Sequence, residues 1–241
     1  MKKYYYDLHI HSCLSPCGDE ENTPYNIAGM AKLSELDIIA LTDHNSCKNC
    51  PAFFEAAKKY GITPIAGMEL TTSEDIHVVC LFEHLSDAMR FDNFVEKNHI
   101  KIHNRPDIFG RQTVMDESDN FLYDVDELLI NATSISIENV VDTVKEFNGI
   151  CYPAHIDKDS NSIIGVLGTL PENNLFSFFE LHNADKIEEF SLKYGIAADR
   201  FIIDSDSHYL TDIRDKNFFF ELEESDDHEM IRKKLFDYLK R

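Results

Sequence analysis

No stretch of this 241-residue chain approaches the ~20 consecutive apolar residues that a membrane-spanning helix needs, so a membrane partner is not expected. Met1-Lys2-Lys3 runs straight into Tyr4-Tyr5-Tyr6 with no apolar core of the signal-peptide kind, and the expected location is cytoplasmic. Basic residues are scarce. The 23 Lys and Arg against 44 Asp and Glu leave a formal net charge of −21, which repels a polyanion, argues against extended nucleic-acid binding and favours a small substrate. These 241 residues hold no internal repeat and no low-complexity tract, and a polymerase-type partner domain is not expected. With ordinary apolar (43%) and charged (28%) fractions, the chain is expected to form one large α/β domain over residues 1–241, of unspecified oligomeric state.

The six cysteines are expected to be reduced in such a compartment. Cys80 and Cys151 lie in the apolar runs HVVCLF and GICYPA and read as small buried hydrophobes. Cys13, Cys17, Cys47 and Cys50, spaced C-x3-C and C-x2-C, offer a four-thiolate zinc or iron–sulfur site if their loops meet; a redox or regulatory protein built on them is the non-enzymatic alternative.

Apolar runs and breakers predict strands at Tyr4–Leu8, Ile38–Leu41 and Thr63–Leu70, with helices entered at Thr23-Pro24 and running from Pro51 to Tyr60, where Gly61 stops the second. Ile76–Phe82 should fold back on the preceding strand as a hairpin. Leu85–Asn131 breaks the rhythm and reads as an insertion or lid. A helix at Ser136–Phe147, strands at Ile150–Ala154, Phe176–Leu181, Arg200–Asp204 and Phe218–Leu222, and helices at Asp185–Tyr194 and Asp226–Lys240 follow, with a long loop over Ile156–Pro171.

Potential metal ligands recur at the ends of these strands. His9 and His11, two apart in extended backbone, point to one face and can grip one cation. Asp43-His44 follows ELDIIAL, Glu69 follows PIAGM, His155 follows GICYPA, and Asp206-x-His208 follows RFII. Five strand ends bearing imidazole or carboxylate are hard to explain by packing, because buried charge is costly unless paired or metal-bound. Imidazole with carboxylate suits manganese, iron or zinc, and a carboxylate such as Glu69 can bridge two ions.

In order, HIHS, TDHN, GMEL with the following His77, PAH and SDSH resemble the motif series of the PHP (polymerase and histidinol phosphatase) superfamily, over about residues 5 to 210. The resemblance implies an α/β fold, a distorted (β/α)7 barrel of the PHP type with an inserted segment around residues 85–131, and two or three divalent ions (Mn, Fe or Zn) at one mouth, often a trinuclear centre. It implies His9, His11, Asp19, His44, Glu69, His77, His155, Asp206 and His208 as metal ligands, with Glu69, His77, Asp206 and His208 the most directly catalytic. Cys17 competes with Asp19, because where many relatives carry the corresponding ligand this chain has Pro16 and Cys17. The implied grouping is His9, His11, Glu69 and Asp206 on one ion, Glu69, His77 and His155 on a second, and Asp19, His44 and His208 on a third. Asp7 and Asp43 flank ligands and could orient imidazoles.

The expected activity is metal-dependent phosphoester hydrolysis of a small nucleotide or metabolite monoester, with an activated water attacking phosphorus. Lys158 and Arg214 are the basic residues nearest the ligands in sequence, and Arg105 and Arg111 would join them if the insertion is a lid. The alternatives are a non-phosphate hydrolase acting on an ester, lactone or amide, and a nucleic-acid-processing phosphodiesterase. His84, His99, His103, His182 and His228 belong to no motif and read as structural.

Overall fold

A computed structural model describes residues 1–171 and 175–241. Its strands are β1 (Lys2–Asp7), β2 (Ile38–Leu41), β3 (Thr63–Thr71), β4 (His77–Phe82), β5 (Thr113–Met115), β6 (Phe121–Asp124), β7 (Ile150–Pro153), β8 (Phe179–Leu181), β9 (Phe201–Ile203) and β10 (Phe219–Leu222). Its helices are α1 (Pro24–Leu33), α2 (Cys50–Tyr60), α3 (Leu85–Asn98), α4 (Pro106–Phe109), α5 (Val140–Glu146), α6 (Ile163–Leu167), α7 (Ile187–Tyr194) and α8 (His228–Leu239).

The helix boundaries follow local chemistry. Thr23 caps α1 by accepting the Asn26 N–H, with Pro24 at the first helical position, and α2 ends at Gly61, whose φ of 67° only glycine adopts cheaply. β1, β2 and β3 run parallel; β3 and β4 then form the antiparallel pair expected, in register from Ala66↔Phe82 to Thr71↔His77. The main sheet has the order β10-β1-β2-β3-β4-β7, and β8 with β9 forms a separate parallel pair.

The ring of strands is completed by loop contacts rather than by long ladders. After β7, Ile156 N–H donates to Glu180 O of β8; after β9, Ser207 exchanges backbone hydrogen bonds with His9 and His11 beyond β1. The result is a mixed α/β fold, a distorted barrel whose closing contacts lie at the end where the motif residues gather.

Two apolar layers hold it. One lies outside the strands, under α1, α2 and α3. The other is formed by inner-face residues such as Tyr4, Leu8, Ile65 and Tyr152, and α8 closes it with Ile231, Leu235, Phe236 and Leu239. Fully burying a side chain such as Leu235 or Phe236 contributes about 1.5–3 kcal/mol each. The Thr63 hydroxyl, at the start of β3, is 2.8 Å from His228 Nδ1, so α8 sits at the N-terminal ends of the strands.

The alternation of β1 breaks once. Tyr4, Tyr6 and Leu8 belong to the inner layer, yet Ile10 belongs to the outer one. The ladder is interrupted at Leu8, whose N–H donates to Asp204 Oδ1, and beyond it His9 and His11 face the mouth.

The segment around 85–131 divides in two. α3 buries Ala88, Phe91 and Val95 in the outer layer and is part of the barrel wall; only the chain after it is inserted. That later part carries α4 and the β5–β6 hairpin, which packs Val114 and Leu129 on Leu14 in a small core of its own.

Candidate metal centre

Glu69, near the end of β3 and buried, stands at the centre of five imidazoles. Its Oε1 lies 2.8 Å from His77 Nδ1, 3.1 Å from His155 Nε2 and 3.4 Å from His9 Nε2, and its Oε2 lies 3.0 Å from His44 Nδ1 and 3.3 Å from His11 Nε2. Asp206 Oδ1 adds contacts of 3.4 Å to His9 Nε2 and 3.2 Å to His11 Nε2. Three sets of donor atoms, each within 4.8 Å of one another, result: His9, His11, Glu69 and Asp206; His44, Glu69 and His77; and His11, His44 and His208.

His155 joins through Glu69, whereas Asp19 is in none of the sets; its Oδ1 instead accepts the Glu21 N–H. His155 and Asp206 hold left-handed backbone conformations at φ 30° and 52°, strained for non-glycine residues and typical of positions where side-chain aim outweighs backbone comfort.

The electrostatics are those of a cation site. Burial alone would lower His9, but the negative charges of Glu180, Glu69 and Asp206 outweigh it and hold this imidazole well above its ordinary value. Burial likewise opposes His11, which Asp206 and Glu69 bring to about 9. His44 goes well below its usual range and His208 to about 4, through burial and, for His208, the nearby His11 charge. Glu69 and Asp206 are held well below the normal carboxylate range by surrounding imidazoles, against the opposing pull of burial.

Divalent ions fit this donor set. His44 Nδ1, Glu69 Oε2 and Asp206 Oδ1 are buried without a well-formed hydrogen bond although they face other ligand atoms at 3.0–3.4 Å. Buried polar groups are almost always satisfied, and converging orphan donors are what a bound cation would complete.

The supporting shell contains residues that motif reading passes over. Glu180 Oε2 lies 2.9 Å from His9 Nδ1, both side chains fully buried, and fixes the ring so that Nε2 faces the centre. Ser15 Oγ does the same for His11 Nδ1 at 2.9 Å and donates to Asp43 Oδ1, which also accepts Ser12 N–H. Glu180 has a sequence signal in retrospect, a carboxylate at the end of the apolar run FSFFEL; Ser15 has none. Asp7 accepts the Ser205 and Arg214 N–H groups, bracing the Asp206 turn.

Lys158 Nζ is 2.5 Å from Asp206 Oδ2, and Arg214 donates to the carbonyls of His182 and Asp204. A cavity of about 620 Å³, lined by His182, Asn183, Ala184, Ser205, Asp206, Asp212 and Arg214, opens beside the centre. Arg105 and Arg111 lie on the inserted segment and pair with Asp107 and Asp124. The cysteine quartet does not assemble. Cys47 and Cys50 turn their thiols to the Gly67 carbonyl, Cys13 turns to the Thr113 carbonyl, and no donor set among the described residues includes a cysteine. Cys17 is exposed.

A family model for the PHP domain matches residues 7–176. An uncharacterized protein of Methanocaldococcus jannaschii is 29% identical over 100 residues, 38% of this chain and 58% of that protein. A PolC-type DNA polymerase III of Thermotoga maritima is 30% identical over 170 residues, 69% of this chain and 11% of the polymerase. Among solved structures, the lesion-specific endonuclease PfuEndoQ of Pyrococcus furiosus superposes with a TM-score of 0.64 at 19% identity, covering 96% of this chain and 55% of that one. A complex of endonuclease Q with a 27-mer duplex substrate, an abasic lesion at its active site, superposes at 0.59 with 20% identity, covering 96% and 56%. These likenesses are of fold, and the chain spans only about half the length of the endonucleases.

They overturn one expectation. The net charge argued for a small substrate and against extended nucleic-acid binding, yet a fold matching nearly all of this chain is one that holds a duplex. A formal charge sums the whole surface, whereas a polyanion meets only the face it lies on, and cations at that face change its sign locally. No helix among the described residues is long and apolar enough to cross a membrane.

Proposed function

Because the chain belongs to the PHP domain family, whose members are metal-dependent hydrolases, we propose that it hydrolyses phosphodiester bonds of a nucleic-acid strand at the mouth of its barrel. The observation that carries this reading is the superposition of 96% of the chain on an endonuclease in complex with its duplex substrate.

His9, His11, Glu69 and Asp206 would hold one ion, His44, Glu69, His77 and His155 a second, and His11, His44 and His208 a third. Manganese, iron or zinc suits this mixture of imidazole and carboxylate. Bound there, the ions would supply Lewis acidity, polarising phosphoryl oxygens and acidifying water near neutral pH.

The chain's own residues set the geometry. Glu180 and Ser15 lock the rings of His9 and His11, and Glu69, shared among five imidazoles, keeps the sets in contact. Lys158, now on Asp206, is within reach of a phosphoryl oxygen arriving at the same carboxylate, and Arg214 lines the adjoining cavity, where a flanking phosphate would sit.

The test is cleavage of an end-labelled 27-mer duplex, with and without an abasic site, by protein stripped with chelator and reloaded with manganese or zinc. The expected result is metal-dependent strand scission lost in Glu69→Gln. Hydrolysis of para-nitrophenyl acetate without scission of any oligonucleotide would overturn the reading.

A further inference from the structure

Glu180 and His182 leave β8 on the alternating spacing that His9 and His11 keep after β1 and Asp206 and His208 after β9. In extended backbone that spacing puts both side chains on one side, His182 a step further out of the barrel. Glu180 is spent on His9, but His182 belongs to none of the donor sets. It also differs from His99 and His228. Each of those engages a ring nitrogen, with the Asn131 carbonyl at 3.1 Å and the Thr63 hydroxyl at 2.8 Å, whereas the His182 ring has no hydrogen-bond partner among the described residues.

The backbone of His182, by contrast, is pinned on both sides. Its N–H donates to Asp157 Oδ1 at 2.8 Å, and its carbonyl accepts the Arg214 guanidinium. Asp157 Oδ2 takes the next N–H, that of Asn183, and Lys186 Nζ donates to the Asp157 carbonyl. A fixed backbone that carries an uncommitted imidazole is how a fold presents a group to a substrate. The residue is exposed and lines the cavity of about 620 Å³ beside the centre, together with Ser205, Asp206, Asp212 and Arg214.

Phosphodiester hydrolysis needs a proton donor at such a place, because a sugar oxygen leaves poorly as a bare alkoxide. Lys158 is held on Asp206, and a guanidinium such as that of Arg214 keeps its proton at any working pH. Imidazole is the lining side chain whose class exchanges a proton between about pH 5 and 8. In the free protein, burial and the charges of Lys158 and Arg214 lower the His182 ring from its ordinary value, against the pull of Asp157 and Asp206. A phosphodiester seated between the two cations offsets their charge and favours the protonated ring.

We propose that His182 is the catalytic proton donor to the leaving oxygen; this rests on the phosphodiesterase reading above. Water attacks phosphorus and gives up its proton to solvent. The bond from phosphorus to the sugar oxygen breaks, that oxygen keeps the electron pair, and it takes a proton from the His182 ring, which solvent then recharges.

The experiment compares two substrates of the full, metal-loaded chain: an end-labelled oligonucleotide, whose leaving group is a sugar alkoxide, and bis(para-nitrophenyl) phosphate, whose para-nitrophenolate leaves without a proton. His182→Ala and His182→Gln should lower kcat for the oligonucleotide about 10²–10⁴-fold and kcat for the aryl diester less than about 5-fold. Manganese affinity, read by competition with a chromogenic chelator, should match the parent in both variants, since His182 is in no donor set, and so should thermal melts, since the side chain is exposed. Equal losses on the two substrates, or weakened manganese binding, would make His182 a structural or metal-positioning residue, and undiminished oligonucleotide scission would remove it from the reaction. Each of these overturns the proposal and leaves the phosphodiesterase. Hydrolysis of the aryl diester alone by the parent overturns it too, because a site unable to expel an alkoxide has no working proton donor. If the parent, loaded with manganese or zinc, hydrolyses neither substrate, the phosphodiesterase reading itself falls and takes the proposal with it.

Discussion

At the closed end of the barrel the inner faces of the strands meet Leu235 and Phe236 of α8, while at the open end the same strands present imidazole and carboxylate. β3 holds both within a single face: Ile65 lies in the inner apolar layer, and Glu69, four residues on, is ringed by histidines. The closed end gains stability from burial. The open end holds buried charges whose desolvation is offset only by their mutual contacts and, when present, by cations, which is the arrangement expected where function outweighs stability.

The comparison breaks most sharply at Glu69. Glu69→Gln should lower metal-dependent scission by about 10³-fold or more and reduce bound metal by elemental analysis, while the far-ultraviolet circular dichroism of the chain stays that of the parent. Retained metal and activity would mean that the carboxylate only balances charge. At the other end, Phe236→Ala should cost about 3–5 kcal/mol of stability in urea unfolding, with the metal content of the folded fraction unchanged. Loss of metal on that change would show the two ends to be coupled.

Smaller effects sharpen the contrast. Glu180→Ala should weaken metal binding about 10–100-fold, because His9 keeps its Nε2 but loses the partner that aims the ring; competition with a chromogenic chelator measures it.

Proton linkage gives opposite signs within the cluster. His11, raised to about 9, stabilises the metal-free protein fully below about pH 6.5, the ordinary histidine value, and its contribution is lost as pH rises through 9. His208, lowered to about 4, favours the folded state above pH 6.5 and disfavours it progressively as pH falls toward 4. Metal binding at pH 7.5 should therefore release protons from His9 and His11, seen as a buffer-dependent enthalpy in titration calorimetry, and should tighten toward pH 9.

What the sequence made legible was whatever depends on near neighbours. Apolar runs ending in His or carboxylate located β1, β2, β3 and β7, and the stop at Gly61 ended α2. The spacing from Asp226 to Lys240 placed α8 to within two residues; the capping carboxylate is Asp227, which accepts the Glu229 N–H. What depends on closure was not legible. Glu180 meets His9 across 171 residues, and Cys13 and Cys50 part because their thiols turn to the Thr113 and Leu41 carbonyls, facts that no local spacing encodes. Asp19 is the carboxylate nearest to the spacing that Pro16 and Cys17 occupy, yet the tight loop before it, with Gly18 against the Ser12 carbonyl, leaves its Oδ1 accepting the Glu21 N–H. The segment 85–131 looked uniform because α3 is amphipathic and polar outside, so its membership of the wall shows only in which face is buried.

The pairing of β1 with β10 has a consequence for synthesis. Lys2 finds Leu222 across the sheet, and the inner layer is sealed only when α8 arrives. At ribosomal speeds of about 5–20 residues per second, Tyr4, Tyr6 and Leu8 stay uncovered on the nascent chain for roughly 10–45 seconds. Over that interval β1 is a ready client for a chaperone at the tunnel exit, and a stall before residue 228 would leave the barrel unable to shut.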